Sequence, residues 1–153
     1  EVDVQLCGEK VVRSTHKGQL SNQYQTPNSM AHYIDGFLFA VALNKAKDYQ
    51  KIARRAGKIW IEYGALDYKE CIGDDLNTEG MGSFTKTMAT TKKETVFFSY
   101  IVYRNKKHRD AVNKKVMADP RIKRMMKDKN PPVDYSRMVW GGFKAVVDLQ
   151  GKK

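Results

Sequence analysis

Two runs along this chain lack the alternation of a half-exposed strand. Tyr33–Leu43 reads Tyr-Ile-Asp-Gly-Phe-Leu-Phe-Ala-Val-Ala-Leu, and Thr95–Tyr103 reads Thr-Val-Phe-Phe-Ser-Tyr-Ile-Val-Tyr. A strand with one wet face carries polar residues at every second position. These runs are apolar at both parities, so both faces of their sheet are expected to be covered. Helices of the same chain can cover one face. A second copy of the chain is the simplest cover for the other. Asp35 and Ser99 are the polar side chains that interrupt the two runs.

Between and beyond these strands the period changes. Tyr49, Ile52, Ala53, Ala56, Trp60 and Tyr63 recur at helical spacing, with Lys47, Lys51, Arg54, Arg55 and Lys58 at other positions. Asn44 is the expected N-cap of this helix and Gly64 its C′ stop. A second strand is expected over Leu66–Ile72, a polar loop over Gly73–Gly82 and a helical turn over Phe84–Ala89. Asn105 is expected to cap another helix, in which Ala111, Val112, Lys115, Val116 and Met117 lie near one stripe. Asp119-Pro120 ends that helix and starts a short one, and Asn130-Pro131-Pro132 breaks the short one. The last strand is expected over Arg137–Val147, where Gly141-Gly142 marks a bulge or a close backbone approach.

The order β-α-β-β-α-β predicts an α+β protomer of the ferredoxin-like type over residues 30–148. Two helices on one side of four strands leave the opposite face bare, and it is too apolar to stay wet. Residues 1–29 differ in character: Ser, Gln, Asn, Thr and Gly dominate Ser14–Ser29. They read as a flexible extension outside the fold, with Met30 as the natural start. A further strand at Val2–Leu6 or Lys10–Arg13 is the alternative. Residues 149–153 read as a fraying tail.

Composition narrows the setting. The chain has 153 residues, 41% of them hydrophobic, which suits one domain with its own core. No stretch approaches the roughly 20 apolar residues of a spanning helix, and no basic start followed by an apolar run marks a secretory signal. Cys7 and Cys71 are the only cysteines, which fits a reducing compartment; a cytoplasmic location is expected. The formal net charge is +11. Residues 1–29 hold three acids and three bases, so the whole excess sits in residues 30–153.

Strand parity supplies the candidate chemistry. Asp35 shares a face with Tyr33, Phe37 and Phe39, and Glu70 shares one with Leu66, Tyr68 and Ile72. Carboxylates among apolar neighbours lose stability in their charged form, which suits general acid–base work near neutral pH. Arg137, at the start of the expected last strand, is placed to orient one of them or to bind an anionic substrate. Asp35, Glu70 and Arg137 are therefore the catalytic candidates; ordinary ion pairs at strand ends are the competing reading. Tyr100 and Trp140 are the expected contacts for a flat organic ligand. Cys71 and Glu70 lie at opposite parity, and nothing in the pattern places His108 beside that thiol, so Cys71 reads as inert. With neither HExxH nor CxxC, no metal site or cofactor is expected. Lys106, Lys107, Arg109, Lys114, Lys115, Arg121, Lys123 and Arg124 form a basic band that reads as a solvated helix face.

Several motifs, in order, resemble the YbaA-like family of bacterial proteins, a family of unknown function. They are Tyr33-Ile34-Asp35-Gly36-Phe37, Glu62-Tyr63-Gly64-Ala65, Glu70-Cys71, the long run Arg109–Arg121, and Arg137-Met138-Val139-Trp140-Gly141-Gly142-Phe143. The resemblance implies a ferredoxin-like protomer that pairs into a dimeric α/β barrel. Relatives in that broad superfamily include small monooxygenases, isomerases, haem-handling enzymes and ligand-sensing domains, so the fold underdetermines function. The expectation is a small cytosolic homodimer with a ligand or substrate pocket between the sheet and its partner protomer. One alternative is an RNA-binding protein using its basic helices. Its third strand lacks the basic-glycine opening of an RNA-recognition motif, which disfavours recognition through the sheet. The other alternative is a structural or stress-associated dimer without enzymatic activity.

Overall fold

The computed structural model describes residues 31–149. The extension expected over 1–29, and the tail beyond Leu149, lie outside the described residues. Four strands, β1 (Tyr33–Ala42), β2 (Asp67–Ile72), β3 (Glu94–Tyr103) and β4 (Val139–Lys144), form one antiparallel sheet in the order β2-β3-β1-β4. Helix α1 (Ala46–Glu62) joins β1 to β2, and α2 (Phe84–Thr87) is a single turn before β3. Helices α3 (Lys106–Ala118) and α4 (Pro120–Met126) lead from β3 towards β4. Element order and strand order together are those of a ferredoxin-like protomer.

Local chemistry explains most of the boundaries. Gly64, at φ +108°, closes α1: its N–H reaches Ile61 O and the Ala65 N–H reaches Trp60 O, each at 3.0 Å. That pair of bonds is a Schellman motif, and its left-handed residue favours glycine. Asn105 caps α3 by accepting the His108 N–H at 2.9 Å, and Asp119 caps α4 by accepting that of Arg121 at 2.7 Å. The Asp119 carboxylate also takes the Arg121 guanidinium at 2.8 Å and the Tyr63 hydroxyl at 3.1 Å. These bonds hold its pKa well below the usual Asp range and tie the end of α1 to the start of α4.

Three boundaries differ clearly from expectation. Asn44 does not cap α1; it lies in a 3-10 turn, Leu43–Lys45, that runs straight into the helix with no capping side chain. The last strand starts at Val139, because Asp134 caps a 3-10 turn over Tyr135–Arg137 that precedes it. It ends at Lys144. Pairing runs through Gly141 and Gly142 without a bulge. The close approach is at Gly142, where a Cβ would fall 2.4 Å from the Tyr33 hydroxyl.

Register sorts the sheet into two unlike faces. Glu70, Ser99, Phe37 and Trp140 form one row across all four strands, and Tyr68, Ile101, Asp35 and Gly142 form the next. Both rows lie under the helices. Phe39, Val41 and Phe97 pack with Tyr49 and Ala53 of α1 at one end. Ile101 and Tyr103 pack with Ile59, Val112, Val116 and Ile122 at the other. The opposite face carries Phe98, Val139 and Phe143, exposed by 48%, 58% and 61%. Coverage of both faces, expected from the apolar runs, is thus met on one face only within a single chain.

Helix α1 approaches β2 closely through its small residues. A Cβ at Gly57 would fall 2.6 Å from Cδ1 of Tyr68, whose ring is anchored by its hydroxyl bond to Glu70. Gly→Ala in a helix ordinarily stabilises by about 1 kcal/mol. Here overpacking of roughly 1–3 kcal/mol opposes that gain. Gly57→Ala is therefore expected to lower the urea midpoint with an unchanged m-value, opposite in sign to helix propensity.

Candidate functional site

A cavity of about 370 Å³ opens between the two core clusters, floored by the sheet rows and roofed by α1 and α3. Its walls are largely aromatic: Phe37, Phe39, Tyr49, Trp60, Tyr68 and Trp140. Its polar groups are few: Asp35, Glu70, Ser99 and Asn113 stand out among them. An apolar cavity of this size with a few convergent polar groups is the usual form of a small-molecule site.

At one end is Asp35, whose side chain is 1% exposed. Burial raises its pKa above the ordinary value of 3.8; Arg109 and Asn113 oppose that rise, and Asp110 adds to it. Arg109 Nε stands 3.3 Å from Asp35 Oδ1, yet neither atom makes a hydrogen bond, because the pair is misaligned. Oδ2 accepts from Asn113 Nδ2 at 3.3 Å. The orientation of that amide follows from its other contacts. Asn113 Oδ1 accepts from Trp60 Nε1 at 3.1 Å and from the Tyr103 hydroxyl at 2.9 Å. An indole N–H only donates, so the amide oxygen must face it and the amide nitrogen must face Asp35. Burial, followed by the Asp35 charge, holds the Tyr103 phenol well above its usual pKa.

Arg109 is itself shaped by aromatics. Its guanidinium lies over Tyr33 at 5.0 Å and over Trp140 at 5.9 Å, and it donates to the Tyr33 hydroxyl at 3.2 Å. Gly142 leaves the space that Tyr33 needs to reach this position. Arg109 also pairs with Asp110 at 3.2 Å, so one guanidinium serves two carboxylates.

At the other end is Glu70. Its Oε2 accepts from the Tyr49 hydroxyl at 2.7 Å and from Ser99 Oγ, and its Oε1 accepts from the Tyr68 hydroxyl at 2.6 Å. Burial, then the Glu70 charge, raises the pKa of both tyrosines far above the phenol value. Asp35 and Glu70 stand two strands apart on the same face, about 10 Å across the sheet and two residues along it.

The other candidates fall elsewhere. Arg137 is not with the two carboxylates: it donates to Glu94 at 2.7 Å and to Met88 O at 2.8 Å, fastening the α2 turn to β3. Its place in a 3-10 turn, instead of on β4, accounts for this. Tyr100 pairs with Gly36 and Lys69, at the parity of the bare face, whereas Trp140 lines the cavity. The cavity lies between the sheet and its own helices, whereas the sequence pattern suggests a pocket between sheet and partner. Cys71 is exposed on the bare face. No group of side chains suited to a metal ion occurs among the described residues. Sequence reasoning missed Arg109, Asn113, Tyr49 and Trp60 as parts of this site. One signal was available: Arg109 and Asn113 sit on the same stripe of α3 as Val112 and Val116, where a helix buries its residues.

Fold and cavity define a ferredoxin-like α+β protein with an aromatic, acidic cleft. Residues 32–135 match the family described as "Protein of unknown function (DUF1428)", and the chain belongs to that family. The uncharacterized protein YbaA of Escherichia coli strain K12 is 37% identical over 116 residues, covering 76% of this chain and 97% of the relative. Its counterpart in Shigella flexneri matches to the same extent. Among solved structures, an uncharacterized NIPSNAP domain protein from Burkholderia xenovorans aligns with a TM-score of 0.43 and 17% identity, over 72% of this chain and 91% of its own.

The raised pKa of Asp35 has a signed consequence. As pH climbs past 3.8, the unfolded chain releases this proton before the folded one does. The folded state then binds more protons, so stability attributable to Asp35 falls as pH rises through that interval. Asp35→Asn removes this term. The stability of wild type minus that of Asp35→Asn, from urea unfolding at a series of pH values, is expected to decline from pH 4 upward until the folded carboxyl has ionised.

Proposed function

We propose that this protein binds a small, flat organic molecule in the cleft between sheet and helices, and that Asp35 exchanges a proton with it. The observation that carries the reading is the Asp35 carboxyl: almost wholly buried, raised in pKa, lining a cavity, and with Oδ1 free of any hydrogen bond. Unsatisfied buried polar atoms are uncommon in folded proteins, and this one, 3.3 Å from Arg109 Nε, belongs to a side chain that lines the cavity. A carboxyl with an elevated pKa is matched to proton transfer nearer neutrality. In this reading Asn113 is a positioning residue that fixes the carboxyl through Oδ2, and Arg109, beside Oδ1, steadies the ionised form. Phe37 and Trp140 supply stacking faces, with their ring centroids 6.5 Å apart. Glu70 fixes Tyr49, Tyr68 and Ser99 at the far end.

The bare sheet face completes the proposal. Phe98, Val139 and Phe143 form an exposed apolar surface on it, and a second copy of the chain, presenting the same face, is its natural cover. Such a dimer leaves the cleft open in each protomer, because cleft and interface occupy opposite faces of the sheet.

Two experiments test these statements. The only two tryptophans, Trp60 and Trp140, both line the cleft, so their emission reports occupancy. Titration with 4-nitroanisole, an uncharged flat aromatic that does not itself fluoresce, is expected to quench that emission saturably in wild type, and Ala56→Phe, which fills the cleft, is expected to abolish the saturable phase. Unsaturable quenching in wild type would sink the ligand site. Light scattering on a sizing column is expected to give twice the chain mass, falling to the monomer mass for Phe98→Asp; a wild-type monomer at micromolar concentration would remove the dimer.

A further inference from the structure

The charge inside the cleft runs against the charge of the chain. The sequence holds 28 Lys and Arg against 17 Asp and Glu. Yet the cavity is lined by two carboxylates, Asp35 and Glu70, and by no Lys, Arg or His. Arg109, the cation behind Asp35, is shared with Asp110. No basic group pairs with Glu70 among the described residues. Its partners are three neutral hydroxyls, which bring no positive charge to it.

Hydrogen-bond direction points the same way. Tyr49, Tyr68 and Ser99 each spend their one proton on Glu70, so they face the cavity only as acceptors. The Trp60 N–H is spent on Asn113, and Asn113 donates to Asp35. Asp35, which also lines the cavity, carries a carboxylate that only accepts, with Oδ1 3.3 Å from Arg109 Nε and without a hydrogen bond. These groups therefore ask for donors. Around them stand the rings of Phe37, Tyr49, Trp60 and Tyr68, and aromatic rings attract cations.

Resting on the cleft as a ligand site, we infer that its ligand is an organic cation: an ammonium group carried on an aromatic or other flat apolar body. The ammonium lies at the Glu70 end, where acceptor oxygens and ring faces converge, and the apolar body lies along Phe37 towards Trp140. Lys47, Arg54 and Lys58 flank an open groove on the outer side of Glu70, but none approaches its carboxylate within ion-pair distance. Solvent screens charges at that open surface more strongly than within the cleft.

The test compares three matched probes by calorimetry at pH 7, with tryptophan emission confirming that each occupies the cleft. They are 2-phenylethylammonium, 2-phenylethanol and phenylacetate. The cation is expected to bind about tenfold or more tightly than the alcohol, a gain in the range of a desolvated cation–π contact with an added charge pair, and phenylacetate is expected to bind weakest. Glu70→Gln removes the charge and keeps one acceptor oxygen, the other becoming an NH2 donor; it should erase the preference for the cation over the alcohol. If the alcohol or phenylacetate binds as tightly as the cation, the inference is overturned while the ligand site stands. If none of the three changes the emission, the ligand site falls and this inference with it. Should Glu70→Gln not fold, the wild-type ranking decides by itself.

Discussion

A carboxyl buried beneath a helix layer must be compensated, and the helical side of this protein is organised around compensating Asp35. Its partners come from α3: Arg109 for charge and Asn113 for a hydrogen bond. Asn113 is held in turn by Trp60 of α1 and Tyr103 of β3. One amide thus links both long helices to two adjacent strands. Removing it would strand an indole N–H, a phenol and a carboxylate oxygen together, and each buried orphan carries a penalty of about 1–3 kcal/mol. Such a network specifies one arrangement of helix over sheet more sharply than apolar packing alone.

The same constraint explains why the cleft exists. Apolar residues at both ends of the helix face pack into separate clusters, and the rows between them carry Glu70, Ser99 and Asp35. Glu70 is held by Ser99 and by two tyrosine hydroxyls, and Asp35 by Asn113 and Arg109, so none of them can collapse into the clusters without losing partners. What remains is a space with aromatic walls and fixed acceptors. The faces of the sheet are thus unlike: polar side chains beneath the helices, apolar surface on the far side.

The legible parts of this structure were those with local causes. Asn105 and Asp119 cap their helices because a short acceptor side chain reaches an N–H two or three residues on, whatever the tertiary setting. Gly64 closes α1 because the left-handed conformation excludes most other residues. Asn44 had the right chemistry in the wrong place: a 3-10 turn carries the chain directly from β1 into α1. A strand beginning at Arg137 would set that residue beside the carboxylates. A turn capped by Asp134 shifts the start of β4 to Val139 and turns Arg137 towards Glu94. Arg109 read as one more member of a basic helix face, since no local rule separates a solvated arginine from one laid over Tyr33 and Trp140.

By itself, the sequence determined the element order, the caps of α3 and α4, the parity that sets Asp35 and Glu70 on a common face, and the family to which the chain belongs. Periodicity and capping act within a few residues, so they are written in the chain. Only the tertiary structure decided which face of the sheet the helices cover, that the cavity lies between sheet and helices, and that Arg109 and Asn113 meet Asp35 while Arg137 does not. Those outcomes depend on register across strands and on contacts 74 to 78 positions apart along the chain, where no local preference reaches and only packing of the whole domain selects the partner.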